Sequence, residues 1–128
     1  QSAGREHWSY ARGRGCYLHP ASHVETFLHQ YLADARDDYR RAGCGLYLSI
    51  DADAARTADV PGVSAPNPAG LAGPEVVALA REAGEMSGVA SLDVVEINPH
   101  YDRDGQSARW AALVVWNFLA GLAKRRER

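Results

Sequence analysis

Residues 45–71 read GLYLSIDADAARTADVPGVSAPNPAGL and contain the features that decide the fold. The apolar run at 46–50 is typical of a strand buried in a parallel sheet. Asp51 and Asp53 follow it with one small residue between them, so they share a face if the strand continues through Asp53. Ligands of open α/β sheets bind at the carboxyl ends of strands. Because close carboxylates repel each other, the pair predicts a cation or a shared proton at this end.

The carboxylate oxygens of Asp51 and Asp53 are the ligands that Mg²⁺, Mn²⁺ and Ca²⁺ prefer. A plainer interpretation is that Asp53 caps the following turn and Asp51 pairs with an arginine. A further acid, Glu96, ends the apolar segment 89–97. A carboxylate at the end of a buried strand costs free energy unless a cationic group lies beside it. The partner of Glu96 would be either a bound cationic ligand or a buried arginine.

Strands and helices alternate along the predicted chain. Apolar periodicity with glycine and proline boundaries predicts helices at about 4–12, 23–41, 73–88 and 106–124, the second starting with a capping box from Ser22 to Glu25. Apolar runs predict strands at 16–18, 46–50 and 89–97. This order predicts an α/β fold with a parallel sheet.

Bulk composition excludes some classes of function. The chain has 128 residues, enough for one domain, and its net charge of −2 does not favour nucleic acid or an anionic membrane. The apolar part of the last helix, 110–122, is too short to span a bilayer. We expect Cys16 and Cys44 to be buried free thiols, and we expect a cytoplasmic protein.

The central stretch resembles the ureohydrolases, the family of arginase, agmatinase and formimidoylglutamase. The resemblance rests on a spaced set of residues: Ser49, Asp51, Asp53, Pro61, Gly62 and Gly70. Arg56–Thr57 stands where the family commonly has Asp-Pro, and the segment at 62–66 is most similar to formimidoylglutamases. The resemblance implies a three-layer αβα fold with a parallel sheet. It also implies that residues 1–128 are the carboxyl-terminal part of a single arginase-like domain.

The resemblance also implies a site. Asp51 would bridge two Mn²⁺ ions, Asp53 would bind one of them, and Glu96, in a matching Glu-Ile-Asn-Pro segment, would accept hydrogen bonds from the substrate's amidinium. Asp51 and Glu96 are then the catalytic residues. Ser64 and Asn67 would touch the substrate's glutamate end, or they only bond their own turn. The implied reaction is hydrolysis of N-formimidoyl-L-glutamate to L-glutamate and formamide, a step of histidine breakdown.

The Asp-X-His-X-Asp ligand segment of the family does not occur in these residues. Two carboxylates cannot hold two metal ions, so we expect the 128 residues alone to be inactive. The expected partners are a small amidine substrate and either a missing amino-terminal part or further copies of the chain. His19, His23 and His29 are a weaker candidate metal site than the carboxylates. Residues 102–104 are most simply a solvated turn.

Other functions also fit parts of the sequence. An agmatinase or guanidinobutyrase would share the same site. A phosphatase with an aspartyl nucleophile also begins with Asp-X-Asp, but Ala55 stands where it needs Thr or Val, and the only lysine is Lys124. The third alternative is a non-catalytic fragment whose apolar helix at 106–124 contacts a partner.

Overall fold

A computed structural model describes residues 4–126, except for the side chains of residues 21, 22, 25 and 26. In chain order the helices and strands are α1 (Arg5–Gly13), α2 (Ala21–Ala42), β1 (Leu46–Asp51), α3 (Gly73–Glu85), β2 (Val89–Val95) and α4 (Gln106–Arg126). Short 3₁₀ turns at Ala52–Ala54 and Arg103–Gly105 follow β1 and precede α4.

Strands β1 and β2 form a parallel pair, with α3 as the crossover between them. Ser49 lies opposite Asp93, and Asp51 lies opposite Val95. The predicted parallel sheet is confirmed. The predicted burial of β1 is wrong, because Ile50 alone is buried in it while Tyr47, Ser49 and Asp51 are exposed. Within residues 4–126 the sheet has two strands. None of these residues covers the face of the sheet that carries Tyr47, Ser49 and Asp51.

Helices α3 and α4 pack so closely that their backbones touch. A Cβ atom on Gly84 would lie 2.2 Å from the carbonyl oxygen of Phe118, and one on Gly121 would lie 2.2 Å from that of Arg81. The helices bury the core between themselves and the sheet, with Val76, Ala80, Trp110, Val114 and Phe118 among its members. Gly84, which sequence alone marks only as a weak helix residue, is therefore a contact point between two helices.

The predicted helices are confirmed, with small changes at their ends. Helix α2 begins two residues earlier than predicted, after Pro20, and its predicted capping box rests on side chains outside the described set. Gly43 ends α2 with a left-handed φ of 65°, as the glycine rule predicts. Helix α4 buries one side only and leaves Leu113, Trp116 and Leu119 exposed. No helix within residues 4–126 is long and apolar enough to cross a membrane.

Two expectations near the amino terminus are wrong. Residues 16–18 do not form a strand: the chain there is irregular, and Tyr17 is 79% exposed. A strand needs a hydrogen-bonded neighbour, and residues 4–126 place none beside this segment. Cys16 and Cys44 are free, as expected, but both are exposed rather than buried.

Candidate metal and substrate site

The two carboxylates of the candidate metal site lie at the carboxyl end of β1. The strand ends at Asp51, and Asp53 lies in the 3₁₀ turn that follows, so the expectation that the strand continues through Asp53 is wrong. The Asp51 carboxylate accepts a hydrogen bond of 2.9 Å from the Asp53 amide, which folds the chain into this turn. Asp51 therefore has the turn-capping role that we considered for Asp53.

Asp53 is oriented by the loop that follows. Its Oδ1 atom accepts a hydrogen bond of 3.3 Å from the Ala65 amide. The far end of the same loop pairs with the residues that follow the 3₁₀ turn through short bridges, Ala55 to Leu71 and Arg56 to Asn67. The loop thus holds the second carboxylate at the end of the strand that carries the first.

These carboxylates are suited to a hard divalent cation such as Mn²⁺. Each is exposed or half-buried, and a backbone amide binds Oδ1 of each, which orients the carboxylate. In the described part of the chain, no three His, Cys, Asp or Glu side chains are grouped closely enough to hold a metal ion. Asp51 and Asp53 could therefore supply only part of the ligands of a metal centre.

Glu96 lies at the end of the neighbouring strand in a strained conformation. Strand β2 ends at Val95 rather than at the predicted Ile97, and Glu96 has a φ of 67°. This left-handed conformation costs a residue other than glycine about 1–2 kcal/mol. The adjacent chain compensates, because Ile97 bridges to Val63 and the Asn98 amide donates a 2.9 Å bond to the Gly62 carbonyl. Strain of this kind is typical of functional sites.

The loop residues Ser64 and Asn67 differ in their surroundings. Asn67 bonds its own turn: its side-chain oxygen accepts from the Ala69 amide at 3.1 Å. Ser64 is exposed and lines an open cleft beside the loop. The contact of either residue with a substrate stays a prediction.

Asp102, predicted to belong to a solvated turn, instead anchors the start of α4. Its carboxylate accepts hydrogen bonds from the Ser107 amide at 2.8 Å and the Ala108 amide at 3.0 Å. These bonds, led by the one from Ser107, hold the pKa of Asp102 below its usual range. An aspartate just before a predicted helix was the signal that sequence reasoning passed over.

Ser107 links this anchor to the site loop. It is fully buried, and its Oγ atom accepts a 2.7 Å hydrogen bond from the Gly62 amide. A Cβ atom on Gly62 would lie 2.4 Å from the Cβ atom of Asp102, so only glycine fits. Because Gly62 also bonds Asn98, the start of α4 holds the loop and the Glu96 segment together.

A polar group on the exposed face of the sheet was also missed. The Tyr47 hydroxyl donates a hydrogen bond to the Asp93 carboxylate. Hydrogen bonds from Ser49 and Tyr47 lower the pKa of Asp93. Ser49 lies on the same face of β1 as Asp51, so this group adjoins the candidate metal ligands.

The histidines do not support the weaker metal hypothesis. His29 pairs with Glu82, and His19 stacks on Tyr31 with ring centroids 3.6 Å apart. In the part of the chain that is described, His19, His23 and His29 form no metal-binding cluster.

Comparison with known proteins agrees with the resemblance seen in the sequence. The sequence model that describes the arginase family matches residues 1–121 of the chain. The chain belongs to the arginase family. It is 43% identical over 77 residues to the formimidoylglutamase of Cupriavidus pinatubonensis, covering 58% of this chain and 23% of that protein. It is 35% identical over 108 residues to the formimidoylglutamase of Vibrio parahaemolyticus, covering 84% of this chain and 29% of that protein.

Solved structures show the same fold. Trypanosoma cruzi formiminoglutamase with Mn²⁺ superposes with a TM-score of 0.82 at 30% identity, covering 95% of this chain and 40% of that one. Bacillus subtilis formimidoylglutamase gives a TM-score of 0.88 at 22% identity, covering 94% of this chain and 38% of that one, and so shows the fold alone. The predicted arginase-like α/β fold is confirmed. The chain spans between about a fifth and a third of the length of the curated relatives that it matches, from 22% to 32%.

Proposed function

We propose that these 128 residues are the carboxyl-terminal part of a single arginase-like domain that hydrolyses linear amidines. The proposed substrate is N-formimidoyl-L-glutamate, and the proposed setting is histidine breakdown in the cytoplasm. The observation that carries this proposal is the match to formimidoylglutamases, at 43% identity over 77 residues for one of them. It is supported by the strained Glu96 beside the loop that holds Asp53.

In this proposal Asp51 and Asp53 hold manganese, with the remaining ligands supplied from outside the described residues. Bound Mn²⁺ would supply Lewis acidity and lower the pKa of a water molecule. The chain's own contribution is orientation. The amides of Asp53 and Ala65 direct the two carboxylates, so their oxygens do not have to reorganise when a cation binds.

Glu96 would accept two charge-assisted hydrogen bonds from the amidinium and so orient its electrophilic carbon. One water adds to this carbon, and the bond between the carbon and the glutamate nitrogen breaks. That nitrogen takes a proton and leaves as L-glutamate, and the carbon leaves as formamide. Glu96 remains unchanged, which agrees with a positioning carboxylate exposed at the end of β2.

Turnover with Mn²⁺ tests the proposal on the protein as its host produces it. We expect release of formamide from N-formimidoyl-L-glutamate and much weaker hydrolysis of agmatine. Preference for agmatine or guanidinobutyrate would favour the alternative that the protein is an agmatinase or guanidinobutyrase. Absence of turnover on every amidine would favour the non-catalytic alternative.

We also propose that the site is completed by association, either with an amino-terminal part of the domain or with further copies of the chain. The exposed face of β1 and the exposed apolar side chains of α4 support this, because parallel sheets are normally covered on both faces. The isolated 128 residues should bind Mn²⁺ weakly and show no turnover. Two tightly bound manganese ions per isolated chain would contradict the proposal.

A further inference from the structure

A cleft of about 500 Å³ adjoins the candidate site. It lies between the loop at residues 61–66 and the turn at residues 100–103. Its size is within the range of about 300–1,000 Å³ that small-molecule sites occupy. The two walls are tied together, because the loop residue Gly62 accepts a hydrogen bond from Asn98, just before the turn.

The cleft begins one residue away from both parts of the candidate site. Ser64 lines it, and the next residue, Ala65, donates its amide to Asp53. The preceding residue, Val63, also lines the cleft and bridges to Ile97, which follows Glu96. Because consecutive Cα atoms are about 3.8 Å apart, a molecule as long as an amino acid could reach from the site into the cleft.

The polar groups of the cleft favour an anion. Arg103 contributes a guanidinium group, His100 an imidazole and Ser64 a hydroxyl group, and none of the described residues that line the cleft carries a carboxylate. The carboxylate oxygens of the adjacent Asp102 accept hydrogen bonds from the amides at the start of α4. Within residues 4–126, no carboxylate forms an ion pair with Arg103, so its guanidinium is available for a planar carboxylate ligand.

We propose that this cleft binds a carboxylate group of the substrate, with Arg103 as its main charged contact. This inference rests on the proposed function and adds the source of its specificity. N-formimidoyl-L-glutamate has two carboxylates beyond its amidine, whereas agmatine ends in an amine that the guanidinium of Arg103 repels. The cleft would thus select an acidic amidine both by attraction and by repulsion of the cationic one.

Replacement of Arg103 in the protein as its host produces it gives the first test. Arg103→Gln should raise the KM for N-formimidoyl-L-glutamate about 10- to 100-fold, because a charge-assisted hydrogen bond is lost. The kcat should change little, since the carboxylate end does not react, and the KM for agmatine should not rise. Arg103→Lys should restore part of the affinity. Arg81→Gln, an exposed arginine on α3 outside the cleft, is the matched control and should change neither constant.

An equal rise in KM for both substrates, or no rise for the acidic one, would overturn the proposal. A loss of fold in Arg103→Gln does not prevent the test, because ligand binding to the unaltered protein gives a second measurement. Titration with L-glutamate should shift the amide resonances of Ser64, His100 and Arg103 in an NMR spectrum, and titration with agmatine should not. Shifts elsewhere, or none at all, would contradict a carboxylate site in this cleft.

The two measurements separate this inference from the proposed function. Glutamate binding in the cleft without amidine turnover would leave the cleft standing and remove the hydrolase. If the protein turns over N-formimidoyl-L-glutamate and Arg103→Gln leaves the KM unchanged, the hydrolase stands and the carboxylate site in the cleft is removed. Titration with inorganic phosphate distinguishes the sources of the anion: equal affinity for phosphate and glutamate would show a general anion cleft and overturn its role in substrate recognition.

Discussion

The helical body and the open side of the sheet differ sharply in how complete they are. Helices α3 and α4 touch through Gly84 and Gly121, and Val114 between them is fully buried. On the open face of the sheet, Tyr47 of β1 is 61% exposed; on a second uncovered surface, the outer side of α4, Trp116 is 70% exposed. The body is packed by its own residues, whereas the open face of the sheet has candidate metal ligands, and the outer side of α4 has apolar groups, that these residues do not cover.

This difference shows which half of the site the described residues build. The half of the site made by the described residues is well ordered by hydrogen bonds, since the amides of Asp53 and Ala65 and the anchor at Asp102 position it. The metal ligands remain too few within residues 4–126. Stability should therefore respond to changes in the body, and metal binding should respond to changes at the open side.

The largest expected effect comes from filling the contact between α3 and α4. Gly121→Val places a side chain where even a Cβ atom would lie 2.2 Å from the Arg81 carbonyl oxygen, so the helices must separate. We expect the free energy of unfolding to fall by at least about 3 kcal/mol in denaturant titrations. Gly13→Ala is the control, because nothing lies within 4 Å of its added Cβ atom. Equal stability of the two variants would refute the close helix contact.

Asp51→Asn tests the open side. The amide keeps an oxygen that can accept the Asp53 N–H but loses the charge that attracts a cation. In the protein as its host produces it, we expect the affinity for Mn²⁺ to fall about 100-fold, or about 2.7 kcal/mol. Thermal unfolding without metal should be nearly unchanged, because Asp51 is exposed. Unchanged affinity in a manganese titration would remove Asp51 from the metal centre.

Two neighbouring residues of α4 compare the buried and the exposed side of one helix. Val114→Ala removes a fully buried side chain and should cost about 2–3 kcal/mol of unfolding free energy. Leu113→Ala removes a larger side chain that is 53% exposed, and in the isolated chain it should cost less than about 1 kcal/mol. Denaturant titrations of both variants check this. If Leu113→Ala is the more damaging change, the isolated chain has already covered the exposed side of α4 by self-association.

The same division explains which parts of the structure could be predicted from sequence. Local signals predicted the body: apolar spacing gave α3 and α4, and Gly43 gave the end of α2. The strand predicted at 16–18 failed because a strand depends on a neighbour, which sequence periodicity does not contain. The predicted burial of β1 failed for the same reason, since the burial of a strand depends on what packs against both of its faces.

At the site, residue types were easier to predict than their geometry. Asp51, Asp53 and Glu96 do lie at the carboxyl ends of neighbouring strands. The reason given for the aspartate pair was wrong, because one side-chain hydrogen bond turns the chain after Asp51. Asp102 was missed because an acid among charged residues is normally solvated. Its role becomes visible only in the structure, where the helix amides donate hydrogen bonds to its carboxylate.

Ser107→Ala tests the link between the body and the site. It removes the acceptor of the Gly62 amide, and a buried N–H group without a partner costs about 1–2 kcal/mol. We expect faster hydrogen exchange at Gly62, Val63 and Asn98, with unchanged exchange at Asp53 in the 3₁₀ turn. Ser107→Thr keeps the hydroxyl and is the control. Uniformly faster exchange across the chain would show a loss of stability without a specific link to the loop.

The smallest expected effect is a pH dependence from Asp102. Its pKa is lowered by the hydrogen bonds of α4, so its contribution to stability is complete above the ordinary value of 3.8 and is lost as the pH falls through the lowered value. The free energy of unfolding should therefore fall more steeply below about pH 5 in the unaltered chain than in Asp102→Asn. The lowered pKa of Asp93 acts equally in both proteins and cancels in this difference. Parallel pH curves would mean that the Asp102 carboxylate gains nothing from the helix amides, and that the site loop is held to α4 through Ser107 alone.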